Sequence, residues 1–146
     1  MKESTETLFL VDTNVLVYAY DRTDQRKHHV AALLVEKCWR REVTYAVSIQ
    51  NLAEFFVVMT QKSKVLPVEE AQQIIKDILE FSNWKVFNYN SKTLQQAISI
   101  FKHKQRHFWD ALIAATMTEN GVLHIYTENV SDFKEFEGIH AVNPFK

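Results

Sequence analysis

Glycine is scarce in this chain of 146 residues, in which Gly121 and Gly138 are the only two. A glycine-rich phosphate-binding loop or a dinucleotide-binding fingerprint needs several glycines within a few positions of one another. Two distant glycines cannot supply such a loop. We therefore do not expect a nucleotide cofactor.

Cysteine is scarcer still, because Cys38 is the only one. A single cysteine excludes an intramolecular disulfide and a metal site built from several thiolates. No apolar run approaches the ~20 residues of a membrane span, and residues 1–9 lack the long apolar region of a signal peptide. These absences predict a cytoplasmic protein, in a reducing setting, with no membrane segment.

An excess of positive charge is also missing, since the formal net charge is -1. The chain is not a globally basic nucleic-acid-binding protein, and any contact with RNA or DNA must come from a local patch. A hydrophobic content of 47% and a charged content of 24% are ordinary for a soluble globular protein. We expect a single domain over residues 1–146, with residues 1–7 as an irregular lead-in.

The apolar residues 8–11 form a short run that is typical of a strand buried on both faces. Asp12 follows this run directly, and the apolar residues 15–20 predict a buried helix. A carboxylate at the carboxyl end of a central strand lies where open α/β proteins bind their ligands. The alternative is that Asp12 only caps the following helix, which aspartate does well. From this stretch alone, both interpretations stay open.

Further strands and helices alternate along the chain. β-branched and aromatic residues predict strands at 43–47, 84–87, 124–127 and 140–143. Apolar periodicity predicts helices at 28–41, 48–59, 67–81, 92–104 and 108–117. Ser48 and Ser91 are the expected N-caps of two of these helices. The order is typical of an α/β fold with a mainly parallel sheet of four or five short strands.

Two more carboxylates occur in apolar surroundings. Glu54 is the only charge in the predicted helix that follows the second strand, and burying it without a partner would cost several kcal/mol. We favour a functional Glu54 over the alternative, a short exposed stripe that Glu54 would form with Asn51 and Gln61. Asp110 begins an almost uniformly apolar helix. For Asp110 considered alone, a simple N-cap is the better interpretation.

The most basic stretch, residues 102–109, ends in Phe108 and Trp109. Its cations could meet phosphates while an aromatic ring stacks on an unpaired base. Alternatively, the cations form a solvated helix end and the aromatics enter the core. We favour the core for the aromatics and leave the role of the cations open. His103 and His107 share a helix face, but without a third ligand we do not expect zinc.

Acidic side chains are spread over four segments near predicted strand ends: Asp12, Glu54, Asp110 and Asp132. This distribution is consistent with one pocket at the carboxyl edge of the sheet. Two such charges ~5 Å apart would repel by about 3 kcal/mol at an effective dielectric constant of about 20. A converged cluster therefore requires a cation. Oxygen ligands without thiolates favour Mg²⁺ or Mn²⁺.

Four motifs in this order resemble those of the PIN domain, and among PIN proteins those of the VapC-type toxins of toxin–antitoxin pairs. They are LVDTNVL at 10–16, Ser48 with Glu54, FWDALI at 108–113 and TENVSDF at 127–133. The resemblance covers essentially the whole chain and implies a three-layer α/β/α fold. It matches Asp12, Glu54 and Asp110 to the three core acidic positions of the family. Many members carry an aspartate where this chain has Asn129, so either Asn129 or Asp132 takes the fourth position.

The resemblance further implies a Mg²⁺- or Mn²⁺-dependent endoribonuclease. Asp12, Asp110 and, through water, Asp132 would hold the metal ion, while Glu54 would orient or deprotonate the attacking water. Supporting hydrogen bonds would come from Thr13, Asn14, Thr127 and Asn129. The implied partners are an RNA substrate, an antitoxin protein and a second copy of the chain in a homodimer.

Three alternatives remain. One is a catalytically inactive PIN-like module that binds RNA or protein, which the uncharged Asn129 favours. Another is a phosphoryl-handling α/β domain, but a phosphatase of that type would want a second aspartate where this chain has Asn14. The third is a nuclease for DNA flaps, which usually needs clamp segments for which the chain has little room.

Overall fold

The computed structural model describes residues 7–104 and 107–146. The expected irregular lead-in therefore lies, except for residue 7, outside the described residues. So do positions 105 and 106 of the basic stretch.

Within the described residues, five short strands form one sheet. They are β1 (Phe9–Val11), β2 (Tyr45–Ser48), β3 (Trp84–Phe87), β4 (His124–Tyr126) and β5 (His140–Val142). The strand order is β3-β2-β1-β4-β5, and every neighbouring pair is parallel. The predicted α/β fold with a mainly parallel sheet is confirmed, and the sheet is in fact entirely parallel.

The same part of the chain contains seven α-helices. They are α1 (Thr13–Tyr20), α2 (Gln25–Trp39), α3 (Ile49–Val57), α4 (Val68–Glu80), α5 (Ser91–Lys104), α6 (Phe108–Glu119) and α7 (Val130–Phe133). A π-helical turn, Val58–Lys62, continues α3. The sequence predicted neither this turn nor α7. None of the described helices has the length and hydropathy that crossing a membrane requires.

Side chains on the two faces of β1 belong to different parts of the core. Val11 packs in one apolar cluster with Leu16 of α1 and Phe55 of α3. Leu10 packs in a second cluster with Leu112 of α6. Because successive side chains of a strand point to opposite faces, the sheet lies between two helical layers. The predicted three-layer α/β/α arrangement is therefore confirmed.

The direction of the chain across the sheet reverses at β1. From β1 the chain proceeds to β2 and β3 on one side, and β4 and β5 lie on the other side. In open α/β sheets, ligands bind in the crevice at the carboxyl ends of the strands where the order reverses. The crevice here lies between the ends of β1 and β4, where Asp12 and Thr127 are situated.

Helix starts decide which polar side chains are free to line this crevice. Ser48 caps α3 as predicted. The expected cap Ser91 is wrong, because Asn90 Oδ1 accepts hydrogen bonds from the backbone N–H groups of Lys92 and Thr93 at 3.0 and 3.1 Å. α6 begins at Phe108. Asp110 is thus in the first turn of α6 and is not its N-cap.

A candidate acidic site at the carboxyl edge of the sheet

Asp12 is the best-supported carboxylate of the crevice, with only 5% of its surface exposed. Its Oδ1 accepts a hydrogen bond from Thr13 N at 2.9 Å and one from Asn51 Nδ2 at 3.3 Å. Its Oδ2 accepts hydrogen bonds from Thr127 Oγ1 at 2.8 Å and Asn14 Nδ2 at 3.3 Å. Asp12 therefore caps α1 and is also held by a side chain of α1 and by side chains of two other segments, so the two interpretations left open by the sequence are compatible.

Burial raises the pKa of Asp12 above its ordinary value of 3.8, although hydrogen bonds from Thr127, Thr13, Asn14 and Asn51 each oppose the rise. Desolvation disfavours the charged form, whereas donors aimed at the carboxylate favour it. Burial thus makes the charged form of Asp12 unfavourable, while the hydrogen-bond donors fix the orientation of its carboxylate group.

Asn14 joins the end of β1 to the loop after β4. Its Nδ2 donates to Asp12 Oδ2 and to Thr127 Oγ1, each at 3.3 Å. Its Oδ1 accepts from Glu128 N at 3.0 Å. Thr127 Oγ1 also accepts from Asn129 N at 3.0 Å. The loop after β4 is consequently fixed to the same carboxylate.

Asn51 had no predicted role in the site and was named only in the disfavoured alternative of an exposed stripe. Instead it is fully buried. Its Oδ1 accepts from Ser48 N and Ser48 Oγ, while its Nδ2 donates to Asp12 Oδ1 and to Thr13 Oγ1 at 3.0 Å. The capping box at the start of α3 turns the amide toward β1. The Ser48-x-x-Asn51 spacing was the signal in the sequence that could have revealed it.

Glu54 lies one helical turn after Gln50 and is half-buried. Gln50 Nε2 donates to Glu54 Oε1 at 3.0 Å and to the backbone oxygen of Trp109 at 3.0 Å. Burial raises the pKa of Glu54 above its ordinary value, and the charge of Asp12 adds to the rise. The Gln50 hydrogen bond and Lys62 act in the opposite direction.

Asp110 has the same kind of environment on the opposite wall. Burial, reinforced by the charges of Asp12, Asp132 and Glu54, raises its pKa from 3.8 to about 7, with His107 opposing. A carboxyl group with that pKa is about half protonated at neutral pH. The charges of Asp12 and Glu54 therefore oppose ionisation of Asp110, as expected of carboxylates that line one pocket.

Three of the four predicted acidic residues line one open pocket of about 400 Å³, namely Asp12, Glu54 and Asp110. Of the residues that the structure describes, the wall also includes Asn14, Asn129 and the unpredicted Asp21, but not Asp132. Asp132 Oδ1 lies 4.0 Å from His107 Nε2. Asn129 thus occupies the pocket-lining position, and Asp132 acts on the pocket through its charge.

The donor set of this pocket fits a hard divalent cation. It consists of carboxylate and amide oxygens, and carboxylates with raised pKa values gain from a neighbouring positive charge. Over residues 7–104 and 107–146, no three His, Cys, Asp or Glu side chains are grouped as ligands of one metal ion. Mg²⁺ needs no such cage, because it usually takes one or two carboxylates and keeps several waters.

The PIN domain family matches residues 9–138 of this chain. The chain belongs to the PIN domain family. A protein of Mycobacterium tuberculosis named ribonuclease VapC24 is 27% identical over 132 residues, which are 86% of this chain and 89% of that protein. The family resemblance inferred from the four motifs is confirmed.

Solved PIN-fold structures share the architecture. VapC20 of Mycobacterium tuberculosis, described as a sarcin–ricin loop cleaving toxin, aligns with a TM-score of 0.64 at 19% identity over 84% of this chain and 90% of that chain. A toxin–antitoxin complex from Klebsiella pneumoniae aligns with a TM-score of 0.63 at 18% identity, over 93% of this chain and 97% of that chain. DNA-bound VapBC from Salmonella typhimurium aligns with a TM-score of 0.64 at 17% identity, over 95% of this chain and 99% of that chain. At these identities the likeness concerns the fold.

The prediction that both aromatic residues after the basic stretch enter the core is wrong for the second of them. Trp109 was expected in the core, yet 60% of its surface is exposed, because the first turn of α6 directs it outward while Phe108 packs against the core.

Proposed function

We propose that this PIN domain is a Mg²⁺- or Mn²⁺-dependent endoribonuclease and the toxin of a toxin–antitoxin pair. The observation that carries the proposal is the convergence of Asp12, Glu54 and Asp110, from three separate segments, on one pocket at the reversal point of the sheet. The relative named ribonuclease VapC24 supports RNA as the substrate.

In this mechanism Asp12 and Asp110 would hold the divalent ion, with Asn129 or Asp132 contributing through water. Such an ion, when bound, would lower the pKa of a water and offset charge on the phosphodiester. Glu54 orients the attacking water and accepts its proton, for which a carboxylate of raised pKa is suited. Thr13, Asn14 and Thr127 keep Asp12 in place through the hydrogen bonds described above.

The direct test is the isosteric substitution Asp12→Asn. It removes the charge of the proposed metal ligand while preserving its size, so RNA cleavage should fall to background while the circular dichroism spectrum is retained. Asp77→Asn is the matched control, because Asp77 is exposed on α4, and it should cleave like the wild type. Cleavage by the Asp12→Asn protein at the wild-type rate would refute the mechanism.

A catalytically inactive binding module is the second candidate. The specific observation in its favour is Asn129, an uncharged side chain on the wall of the pocket. Calorimetric titration with Mn²⁺ separates the two, since an inactive module need not bind the ion.

The proposed partners are an antitoxin and a second copy of the chain. Structures of VapBC complexes share the fold, which supports an antitoxin. Exposed apolar residues on α4, Val68 and Leu79, support a homodimer.

A further inference from the structure

We infer that a groove beside the acidic pocket binds an unpaired base of the RNA, adjacent to the phosphate that is cleaved. This inference rests on the proposed ribonuclease function and adds a substrate-binding subsite to it. The surface is called here the Trp109 groove. It has a volume of about 470 Å³ and is lined by Ile49, Gln50, Ala53, Glu54, Val57, Val58, Lys62, Tyr89 and Trp109.

Large exposed apolar side chains are concentrated in this groove. Trp109 is 60% exposed, and Ile49, Val57 and Tyr89 are also exposed. Isolated exposed apolar residues are normal, whereas a contiguous set marks a binding surface. Two of the four are aromatic, and an aromatic face stacks on any base because every base has a π-face.

The groove is continuous with the catalytic centre. Glu54 and Val58 line both the groove and the acidic pocket. Trp109 immediately precedes Asp110 in α6. An RNA strand whose phosphate lies at the carboxylates therefore has a stacking surface directly beside that phosphate.

Gln50 fixes the position of Trp109 relative to Glu54. Its amide group binds both Glu54 Oε1 and the backbone oxygen of Trp109. Both partners are acceptors, so the nitrogen of the amide must face them. Such a link suits a subsite for the substrate, because a base held there positions the neighbouring phosphate. A protein partner that only docks in the groove does not need a fixed position relative to Glu54.

One cation of the groove, Lys62, also suits a strand of RNA. Lys62 stands at the rim of the groove, where its ammonium group can meet a backbone phosphate. Single-stranded nucleic acid is typically bound by this combination of aromatic faces and neighbouring cations. RNA recognition of this kind applies to unpaired bases, whose faces are free to stack.

The test uses the full chain carrying Asp12→Asn, which should bind RNA without cutting it. The probe is an RNA oligonucleotide that spans the cleavage site mapped with the wild-type protein on total RNA. Adding Trp109→Ala should raise the dissociation constant about 10-fold, whereas Trp109→Phe should retain most of the affinity. Leu33→Ala, which also removes an exposed apolar side chain, should leave the dissociation constant unchanged.

Oligonucleotides with a single abasic position identify the base that occupies the groove. At that position, loss of the base and Trp109→Ala should each weaken binding, but together they should weaken it no more than either alone. At other positions the two effects should multiply. Independent effects at every position would overturn the inference.

Two further outcomes separate the possible failures. If the wild-type protein neither binds nor cleaves RNA, the proposed function fails and the subsite fails with it. If the wild type cleaves RNA but Trp109→Ala leaves RNA binding intact, only the subsite is overturned. Loss of antitoxin binding with intact RNA binding in Trp109→Ala would then identify the groove as a protein-docking surface.

Discussion

Gln50 uses one amide group to join Glu54 of the acidic pocket to the first turn of α6. It is only 6% exposed, and its nitrogen donates to Glu54 and to the backbone oxygen of Trp109. Its hydrogen bond lowers the pKa of Glu54 against the larger effect of burial. The protonation and direction of Glu54 therefore depend on a neutral neighbour.

Gln50→Leu removes both hydrogen bonds at similar volume. Because the pKa of Glu54 should then rise further, the acid limb of the pH–rate profile should move to higher pH, with kcat lowered about 10-fold. Stability should fall by about 1–3 kcal/mol, since the partners lose a buried donor. Gln72→Leu, at an exposed position of α4, is the control. An unmoved acid limb in Gln50→Leu would contradict this role of Gln50.

Protons should compete with the metal ion at Asp110, whose pKa is raised to about 7 by burial and by Asp12 and Asp132. We expect the Mn²⁺ affinity to fall about tenfold for each pH unit below 7, because one proton must leave on binding. Titration calorimetry in two buffers of different ionisation enthalpy measures the released proton. An affinity independent of pH would contradict the assignment of Asp110 as a ligand.

The same raised pKa affects the stability of the metal-free protein. The folded chain binds the Asp110 proton more tightly than the unfolded chain, so this group favours folding most at low pH. Its contribution is lost as the pH rises from about 4 to about 7. Mn²⁺ should consequently raise Tm more at pH 8 than at pH 6.

At the residue scale, charge was the useful signal in the sequence. Asp12, Glu54 and Asp110 attracted notice because carboxylates are costly in apolar segments, and the structure brings them to one pocket. Gln50 and Asn51 carry no charge and therefore gave no comparable signal. Their roles depend on contacts with β1 and α6 that the local sequence does not encode.

At the element scale, the start of α3 positions much of the site. Ser48 and Asn51 form a capping box, and Asn51 then reaches Asp12 and Thr13. The end of β1, the N-cap of α3 and the carboxylate of Asp12 are thereby connected through a single amide.

Ser48→Ala should lower stability by about 1–2 kcal/mol, the usual effect of losing an N-cap. It should also reduce RNA cleavage, because Asn51 loses the hydroxyl that holds its amide. Urea unfolding and a cleavage assay measure the two effects. Ser91→Ala is the matched control, since Ser91 is the exposed first residue of α5 and does not cap it. Its stability should stay within about 0.5 kcal/mol of the wild type. Equal effects of the two substitutions would contradict this account.

The sequence predicted most elements but not all of their boundaries. Strong apolar patterns gave β1, α3, α4 and α6, because their periodicity is local. The π-helical turn after α3 was missed, since a hydrophobic pattern does not distinguish its bond from Ser63 N to the backbone oxygen of Val58, five residues back, from the four-residue spacing of an α-helix. α7 was missed because its four residues are too few to show a period.

At the scale of the whole molecule, the site exists because the order in which the chain adds strands to the sheet reverses at β1. Asp12, Glu54 and Asp110 are far apart in the sequence and meet because parallel strands end at one edge. Alternation of strands and helices predicted the parallel sheet, but strand order depends on how helical layers pack over long distances. The four ordered motifs, by resemblance, narrowed the fold to the PIN domain.

Dimerisation would also be a property of the whole molecule. Val68 and Leu79 are 51% and 49% exposed on α4, and they lie on one face with the partly buried Ile75. If a second copy buries this stripe, light scattering should give the molecular mass of a dimer for the wild type. Leu79→Glu places a charge in the stripe and should give the mass of a monomer. Leu33→Glu, which places the same charge at an exposed position of α2, should remain dimeric. A monomeric wild-type protein would refute the homodimer.

Diffraction from a crystal soaked in Mn²⁺, recorded for its anomalous signal, tests the central claim most directly. We expect an anomalous peak in the pocket within ligand distance of Asp12 and Asp110, and no peak there in the Asp12→Asn protein. A pocket without a peak, at a Mn²⁺ concentration that supports RNA cleavage in solution, would contradict the proposed metal site.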